Sequence, residues 1–213
     1  MSNLTLVIPA KHEGDSLPVV LKELNNYEYH IIISVEENDI ETINSIKGFD
    51  CEIVYQTKKG YGNAILDGIK NVKTEYFSIF NADGSFDPRD LSEMLELCEK
   101  NDFIFASRYK KDGGSDDDTI ITLIGNFIFT KITNIFFKIK ISDILYTYIV
   151  GKKSCVDELN LISDDFCLCV ELPIKANRKK MLLKDISSYE RKRIAGKKKV
   201  NEFKDGLKIL IFI

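Results

Sequence analysis

Apolar residues in the first half of the chain fall into short continuous runs that alternate with segments of helical spacing. Residues 4–8 (Leu-Thr-Leu-Val-Ile) form a β-rich run that Pro9 ends. Residues 16–25 read as a helix with Asp15 or Ser16 as its cap and Pro18 in the first turn, where a missing N–H costs no helical bond. Residues 29–35 are apolar enough for a strand buried on both faces. A short helix over 39–46 and a third strand over 51–56 follow. Residues 61–72 place Ala64, Ile65, Gly68 and Ile69 on one side of a helix, and a fourth strand covers 75–80. Residues 88–100 carry Leu91, Met94, Leu95 and Cys98 at core spacing, and 102–107 form a fifth strand. This βαβα order predicts an α/β fold, a mostly parallel sheet flanked by helices on both faces.

After residue 110 the rhythm changes. A loop rich in Gly and Asp leads to a long apolar helix, 119–137, and a loop around Asp143. A helix over 166–179, a strand over 181–189, a basic loop and a terminal helix complete the chain. No repeat or linker interrupts it, so one domain over 1–213 is expected, with a nucleotide-type half (1–110) and an acceptor-side half (111–213).

Composition narrows the class. The 213 residues are 44% hydrophobic and 30% charged, which is ordinary for a globular chain and excludes a disordered or collagenous one. A net charge of −3 argues against non-specific nucleic-acid binding. The five cysteines form no CxxC pair; with an N-terminal apolar run too short for a signal peptide, they point to a reducing cytoplasm. No apolar stretch reaches the ~20 residues of a spanning helix, because Lys131 and several Thr and Asn interrupt 119–137. That segment and the apolar end, 207–213, could each lie on the cytoplasmic face of a membrane. Core packing or a partner interface, including one with a second copy, is the alternative.

Ligands of open parallel sheets bind at the carboxyl ends of the strands, and here all five ends are polar. They are Pro9-Ala10-Lys11-His12-Glu13, Glu36-Glu37-Asn38-Asp39, Lys58-Lys59-Gly60-Tyr61-Gly62, Asn81-Ala82-Asp83 and Ser107-Arg108. Glu36 and Glu37 could hydrogen-bond a base or ribose edge; a solvated charged loop is the plainer alternative. Gly60-x-Gly62 ahead of a helix would let backbone amides approach an anion, although a simple glycine turn explains it as well. It is not the dinucleotide fingerprint, since Ile65 occupies the last glycine position. Asn81 and Asp83, two apart at a strand end, point to one side. They could hold Mg²⁺ or Mn²⁺ against a diphosphate, with phosphate and water completing the oxygen shell. The basic run 191–199 could neutralise a leaving diphosphate, or be a solvated loop. The acidic run 112–118 reads as solvated loop.

Taken in order, these pieces resemble the family 2 glycosyltransferases, particularly the dolichyl- and polyprenyl-phosphate sugar synthases. Val7-Ile8-Pro9-Ala10-Lys11-His12-Glu13 is similar to the family's V-I-P-x-x-N-E opening, and Gly60-Tyr61-Gly62-Asn63-Ala64 with Gly68 to its G-x-G-x-A-x-x-x-G segment. Asn81-Ala82-Asp83-Gly84-Ser85-Phe86-Asp87-Pro88 resembles D-A-D-G-x-x-D-P. Ala106-Ser107-Arg108-Tyr109 with Gly113-Gly114 resembles G-S-R-[FY]…G-G. Ser142-Asp143, the block from Phe166 to Glu171, Arg193 through Lys199, and Asp205-Gly206-Leu207 match later blocks, so the resemblance covers nearly the whole chain.

The resemblance implies a GT-A fold and a nucleoside-diphosphate sugar donor. It implies transfer with inversion to a phosphate or hydroxyl acceptor, such as a polyprenyl phosphate or a cell-surface glycan precursor. Pro9, Glu13, Glu36, Glu37 and Asp39 would face the base and ribose, with Gly60 and Gly62 beside them. Asp83, with Asn81, would meet the cation and diphosphate. Arg108, Arg193, Lys198 and Lys199 would serve phosphates. Asp143 and Glu171 are the candidate bases for a hydroxyl acceptor, and Arg193 would stabilise the leaving group. The chain departs from the family at several points. Asn81 replaces the first metal aspartate, Lys198 replaces a serine, His12 replaces an asparagine, and Thr147-Tyr148-Ile149 lacks the arginine of G-[FY]-R. Lys198 is expected to substitute in part for the cation. A nucleotidyltransferase would want a glycine-rich loop with an arginine after the first strand, and Pro9 to Glu13 has none. A non-catalytic sugar-nucleotide binder is the remaining alternative.

Overall fold

The computed structural model describes residues 3–196 and 202–213. Lys198 and Lys199 lie outside the described residues.

The first half alternates as its apolar pattern requires: β1 (Leu4–Ala10), α1 (Leu17–Leu24), β2 (His30–Val35), α2 (Ile40–Ser45), β3 (Glu52–Tyr55), α3 (Tyr61–Asn71), β4 (Tyr76–Ile79), α4 (Asp90–Cys98) and β5 (Phe103–Ser107). The second half adds β6 (Gly114–Ser115), α5 (Ile120–Phe137), β7 (Ile149–Lys152), α6 (Lys153–Glu158), α7 (Leu168–Arg178), β8 (Leu183–Ser187), β9 (Tyr189–Glu190) and α8 (Glu202–Phe212). Seven strands form one sheet in the order β3-β2-β1-β4-β7-β5-β8, and β6 pairs with β9 in a small second sheet. All neighbours in the main sheet are parallel except β7, which runs antiparallel between β4 and β5.

Side-chain alternation along β1 shows how the layers form. Leu4, Leu6 and Ile8 join the core beneath α1 and α4, with Leu17, Leu21, Leu91 and Met94. Val7 points to the opposite core, with Ile65 and Ile69 of α3 and Leu168 and Leu172 of α7. Each such side chain contributes roughly 1.5–3 kcal/mol through burial. Gly68 brings α3 down onto β1: a Cβ there would lie 2.4 Å from Cγ1 of Val7.

Three features depart from expectation. Strand β7 and helix α6 were not anticipated in 149–158. The strand has four residues, and its Gly151 carries no side chain because a Cβ would meet Phe103 at 2.5 Å and Phe77 at 3.0 Å. The strand expected over 181–189 ends at Ser187, after which Tyr189 and Glu190 leave the main sheet to pair with β6. Helix α5 is turned inside out. Its buried positions are Asn126, Thr130 and Thr133, while Ile120, Ile121, Leu123, Ile124, Phe127, Ile128, Ile135 and Phe136 are exposed. Its 18 residues, with a mean hydropathy of 1.6, are long and apolar enough to cross a membrane by length and composition.

Candidate active site

Over the carboxyl ends of β1 to β5 lies a cleft of about 520 Å³, within the range of sites that enclose small ligands. Each of the five strand ends contributes: Pro9 and Glu13, Glu36, Gln56 with Gly60, Asn81 with Asp83, and Arg108. Arg193 comes from the segment after β9, Thr122 and Asn126 from α5, and Ile209 from α8.

The β1–α1 turn is held from behind. His12 adopts a left-handed backbone (φ 52°), and its N–H donates to Asp39 Oδ2 at 2.7 Å. Asp39 also caps α2 through Thr42, so its carboxylate is fully engaged away from the cleft. Burial pushes that carboxyl up, but the bonds from His12 and Thr42 outweigh it and hold it below the usual range. Glu13 lines the cleft and accepts from Ser16 Oγ at 2.6 Å, and Glu36 is held by Lys11 at 2.7 Å. Asp39 and Glu37 are not among the cleft-lining residues.

The two glycines at the start of α3 are required by close packing against a neighbouring loop. A Cβ at Gly60 (φ 134°) would lie 2.0 Å from the carbonyl oxygen of Asp164, and one at Gly62 would lie 2.3 Å from that of Ser163. The bare backbone admits the loop ahead of α7, and the Asn63 N–H donates to the Asp164 carbonyl at 3.1 Å. Gly62 is therefore packed under that loop, and only Gly60 reaches the cleft. Glu171 braces the same loop. Its carboxylate accepts from the N–H groups of Ile162 and Ser163, pairs with Lys175 at 2.7 Å, and is buried outside the cleft. This is a structural clamp, and it leaves the expected base no access to an acceptor.

Asp83 and Asn81 face the cleft from the end of β4. Asp83 Oδ1 accepts from the Ser85 N–H at 3.0 Å, and Oδ2 lies 3.6 Å from Nη1 of Arg193. The Asp83 carbonyl accepts from the Ile194 N–H at 2.8 Å, which ties the post-β9 segment to this turn. The Tyr61 hydroxyl bridges Thr147 at 2.8 Å and Asn81 at 3.5 Å. Among the described residues no group of three His, Cys, Asp or Glu side chains is placed to hold a metal. The donor set fits a hard cation that takes its remaining ligands from phosphate oxygens and water.

Arg108 lines the cleft with every edge of its guanidinium occupied. Nε and Nη2 donate to Asp143 at 2.7 and 3.1 Å, and Nη1 donates to Glu190 at 3.1 Å and Asp118 at 3.3 Å. The Tyr146 ring lies 4.5 Å from its Cζ. Burial alone would lower the Arg108 pKa, but Asp143 and Glu190 raise it well above the ordinary value. Arg193 is similarly taken, with Nε and Nη2 on Asp117 at 3.2 and 2.7 Å. Asp143 is wholly buried behind Arg108, does not line the cleft, and holds the guanidinium in place.

Sequence reasoning did not single out Asp117, Asp118 or Glu190, all of which line the cleft. The acidic run passed for solvated loop, yet its place directly after Gly113-Gly114 of the matching block was a usable signal. Counting the lining, six carboxylates (Glu13, Glu36, Asp83, Asp117, Asp118, Glu190) face three basic side chains (Lys11, Arg108, Arg193). Cys169 also lines the cleft, but burial pushes its thiol up to about 12, and it has no character as a nucleophile.

Residues 5–159, well over half the chain, match the family described as Glycosyl transferase family 2. The chain belongs to that family. It is 27% identical over 112 residues to an uncharacterized glycosyltransferase of Mycobacterium tuberculosis, which covers 52% of this chain and 50% of the relative. It is 24% identical over 220 residues to the low-salt glycan biosynthesis hexosyltransferase of Haloferax volcanii, covering 99% of this chain and 52% of the relative. The chain thus spans about half the length of the curated relatives it matches. Among solved structures it is similar to glucosyl-3-phosphoglycerate synthase of M. tuberculosis in complex with phosphoglyceric acid (TM-score 0.75, 10% identity, 97% of this chain and 77% of that one). It is also similar to mannosyl-3-phosphoglycerate synthase of Rubrobacter xylanophilus (TM-score 0.71, 14% identity, 98% and 71%). These likenesses establish the GT-A fold, a mostly parallel sheet flanked by helices.

Proposed function

We propose that this family 2 glycosyltransferase moves a hexosyl group from a nucleoside-diphosphate sugar to a phosphate or hydroxyl acceptor, with inversion at the anomeric carbon. The observation that carries the reading is Asp83, set at the end of β4 in a cleft where carboxylates outnumber basic groups two to one. A bare diphosphate would be repelled there, whereas a diphosphate bound with Mg²⁺ or Mn²⁺ would not. Asp83 and the amide oxygen of Asn81 are the residues to hold that cation, which supplies positive charge to the leaving diphosphate. The similar M. tuberculosis synthase has been crystallised with Mn²⁺ and UDP-glucose, which supports the same class of donor.

The chain's own residues then have separable tasks. Pro9, Glu13 and Glu36 border the space for base and ribose, with Gln56 beside them. Arg193, anchored by Asp117, stands 3.6 Å from Asp83 and faces the charge that builds as the nucleotide leaves. Lys198 and Lys199 would help to neutralise that charge, as the resemblance implies. Reaction joins the acceptor oxygen to the anomeric carbon as the bond from that carbon to the diphosphate breaks.

A cytoplasmic protein resting on a membrane face is part of this reading. The outward apolar side of α5 is continued by Leu207, Leu210, Ile211 and Phe212 of α8, with Lys131, Lys138, Lys140 and Lys208 among them. Both helices also border the cleft, so an acceptor held at that surface would lie beside its mouth.

The test is a thermal-shift screen of UDP-, GDP- and other nucleotide sugars with and without Mn²⁺. A shift for one donor that needs the cation and is lost in Asp83→Ala supports the assignment. No shift with any donor, in folded protein, sinks it.

A further inference from the structure

The acceptor's chemical class can be argued further, on the basis of the glycosyl-transfer reading above. A phosphate monoester brings a charge of about −1.5 to −2 at neutral pH. Among the described residues the wall that would receive it offers no free cation, and Lys198 and Lys199 are assigned to the leaving diphosphate. Arg108 spends its donors on Asp143, Asp118 and Glu190, and Arg193 spends two of its own on Asp117. Freeing Arg108 would strand Asp143, which is 0% exposed. Each unit charge brought to ~4 Å of a carboxylate meets about 4 kcal/mol of repulsion at a surface-like dielectric. A neutral hydroxyl meets none.

Glu190 is built differently from its neighbours. Both oxygens of Asp117 and both of Asp118 are engaged, by Arg193 and by Arg108 with Tyr109. Both donors to Glu190, Arg108 Nη1 and Ser115 Oγ, go to Oε2. Among the described residues Oε1 has no donor, although the residue is only 8% exposed and lines the cleft.

We infer that the acceptor is a neutral hydroxyl and that Glu190 Oε1 is the general base that takes its proton. As the acceptor oxygen bonds to the anomeric carbon, its hydrogen passes to Glu190. The nucleoside diphosphate departs with the electron pair of the broken bond. Arg108 and Ser115 fix Oε2 so that Oε1 stays turned to the acceptor. The charged and titratable groups facing Glu190 are Arg108, Asp118, Tyr146 and Arg193. Burial pushes its carboxyl up, and Arg108 and Ser115 offset this only in part, which moves a base toward working pH.

The experiment uses the full chain and the donor chosen by the thermal-shift screen, with release of nucleoside diphosphate as readout. Water and octyl glucoside serve as hydroxyl acceptors, and farnesyl phosphate as the phosphate acceptor. Glu190→Gln is expected to lower turnover with hydroxyl acceptors by about 10²–10⁴-fold while keeping the donor-induced shift, and Glu190→Asp to recover part of it. The wild-type rate should rise with pH through an inflection above the ~4.3 of an ordinary glutamate, and Glu190→Gln should lose that limb. Equal rates and pH profiles in wild type and Glu190→Gln, or faster transfer to farnesyl phosphate than to any hydroxyl, overturn the inference. If Glu190→Gln does not fold, the wild-type acceptor preference and pH profile decide. No donor binding by folded wild type defeats the glycosyl-transfer reading itself, and this inference with it.

Discussion

Arg108 and Asp143 form a two-point ion pair behind the cleft, with Nε and Nη2 of the guanidinium on opposite carboxylate oxygens at 2.7 and 3.1 Å. The pair is asymmetric in what depends on it. Arg108 also neutralises Asp118 and Glu190, whereas Asp143 has Arg108 as its one ion-pair partner among the described residues. Removing the cation strands three carboxylates. Removing Asp143 leaves the cation two others.

Arg108→Met should therefore cost about 3–5 kcal/mol of stability at pH 7, the range for an uncompensated buried charge, and Asp143→Asn distinctly less. Urea denaturation of both variants checks the order. The Arg108→Met deficit should shrink as pH falls, because Glu190, whose carboxyl burial already pushes up, takes on a proton and so loses one of the charges that the arginine no longer balances. A deficit that stayed constant down to pH 4 would count against this account.

Glu171 gives a second pH effect of definite sign. Burial pushes its carboxyl up, but Lys175 and the N–H groups of Ser163 and Ile162 more than offset this and leave it below the ordinary value. A depressed folded-state pKa stabilises above the unfolded value of about 4.3 and is lost as pH falls through the folded value. Glu171→Gln should flatten the acid limb of the stability curve and cost about 1–3 kcal/mol near neutrality. Urea midpoints between pH 3 and 7 measure both. If Glu171 were instead the catalytic base, the variant would lose turnover with its stability curve unchanged.

The first half of the architecture was legible because its strands are apolar runs with clear punctuation, such as Pro9 after β1 and Asn81 to Gly84 after β4. Parallel strands buried on both faces leave little other reading. Strand β7 was not legible, since four residues around Gly151 carry no period and its place is set by Phe77 and Phe103, far away in sequence. The close fit of Gly60 and Gly62 was not legible, since their contacts, the carbonyls of Ser163 and Asp164, lie about a hundred residues on. The site was half legible. Asp83, Asn81 and Arg193 announced themselves by spacing and by resemblance. Asp117, Asp118 and Glu190 acquire meaning only when folding sets them around Arg108 and Arg193.

The glycine assignment predicts a sharp contrast. Gly62→Ala must push the 163–165 loop aside, since its Cβ would sit 2.3 Å from one carbonyl oxygen and 2.6 Å from another. A Cβ at Gly125, inside α5, meets nothing within 4 Å. Gly125→Ala should raise stability by about 0.5–1 kcal/mol through helix propensity, and Gly62→Ala should lower it by about 1–3 kcal/mol, as overpacking does. Thermal unfolding of the two variants reads the difference directly. Comparable behaviour would mean that the loop does not press on α3 as described.

Asn81 offers a gain-of-function test of the cation. Its amide oxygen carries no full charge and stands where the resembling motif has an aspartate. Asn81→Asp should add a carboxylate beside Asp83 and tighten Mn²⁺ binding in the presence of nucleoside diphosphate by on the order of tenfold, about 1.4 kcal/mol. Isothermal titration measures this without turnover. Lys198→Ala should move the system in the same sense, by raising the dependence of donor binding on Mn²⁺. Unaltered Mn²⁺ affinity in Asn81→Asp would remove position 81 from the cation site.

The outward face of α5 makes a last prediction, because it separates folding from docking. Ile124 and Phe127 are 51% and 58% exposed, so Ile124→Ser with Phe127→Ser removes apolar surface that contributes little to the core. Stability should change by no more than about 0.5 kcal/mol, as for surface substitutions generally. Sedimentation with vesicles containing anionic lipid should fall severalfold, since the two side chains supply much of the apolar area that would enter the interface. Two controls follow from the same geometry. Thr133→Leu, on the face packed against the protein and 0% exposed, should destabilise the fold and leave vesicle binding by the remaining folded protein intact. High salt should weaken binding through Lys131, Lys138, Lys140 and Lys208 without abolishing it, because the apolar contribution is not screened. If wild type ignores vesicles and instead sediments as a dimer that the Ile124 and Phe127 substitutions dissociate, the face belongs to a second copy of the chain.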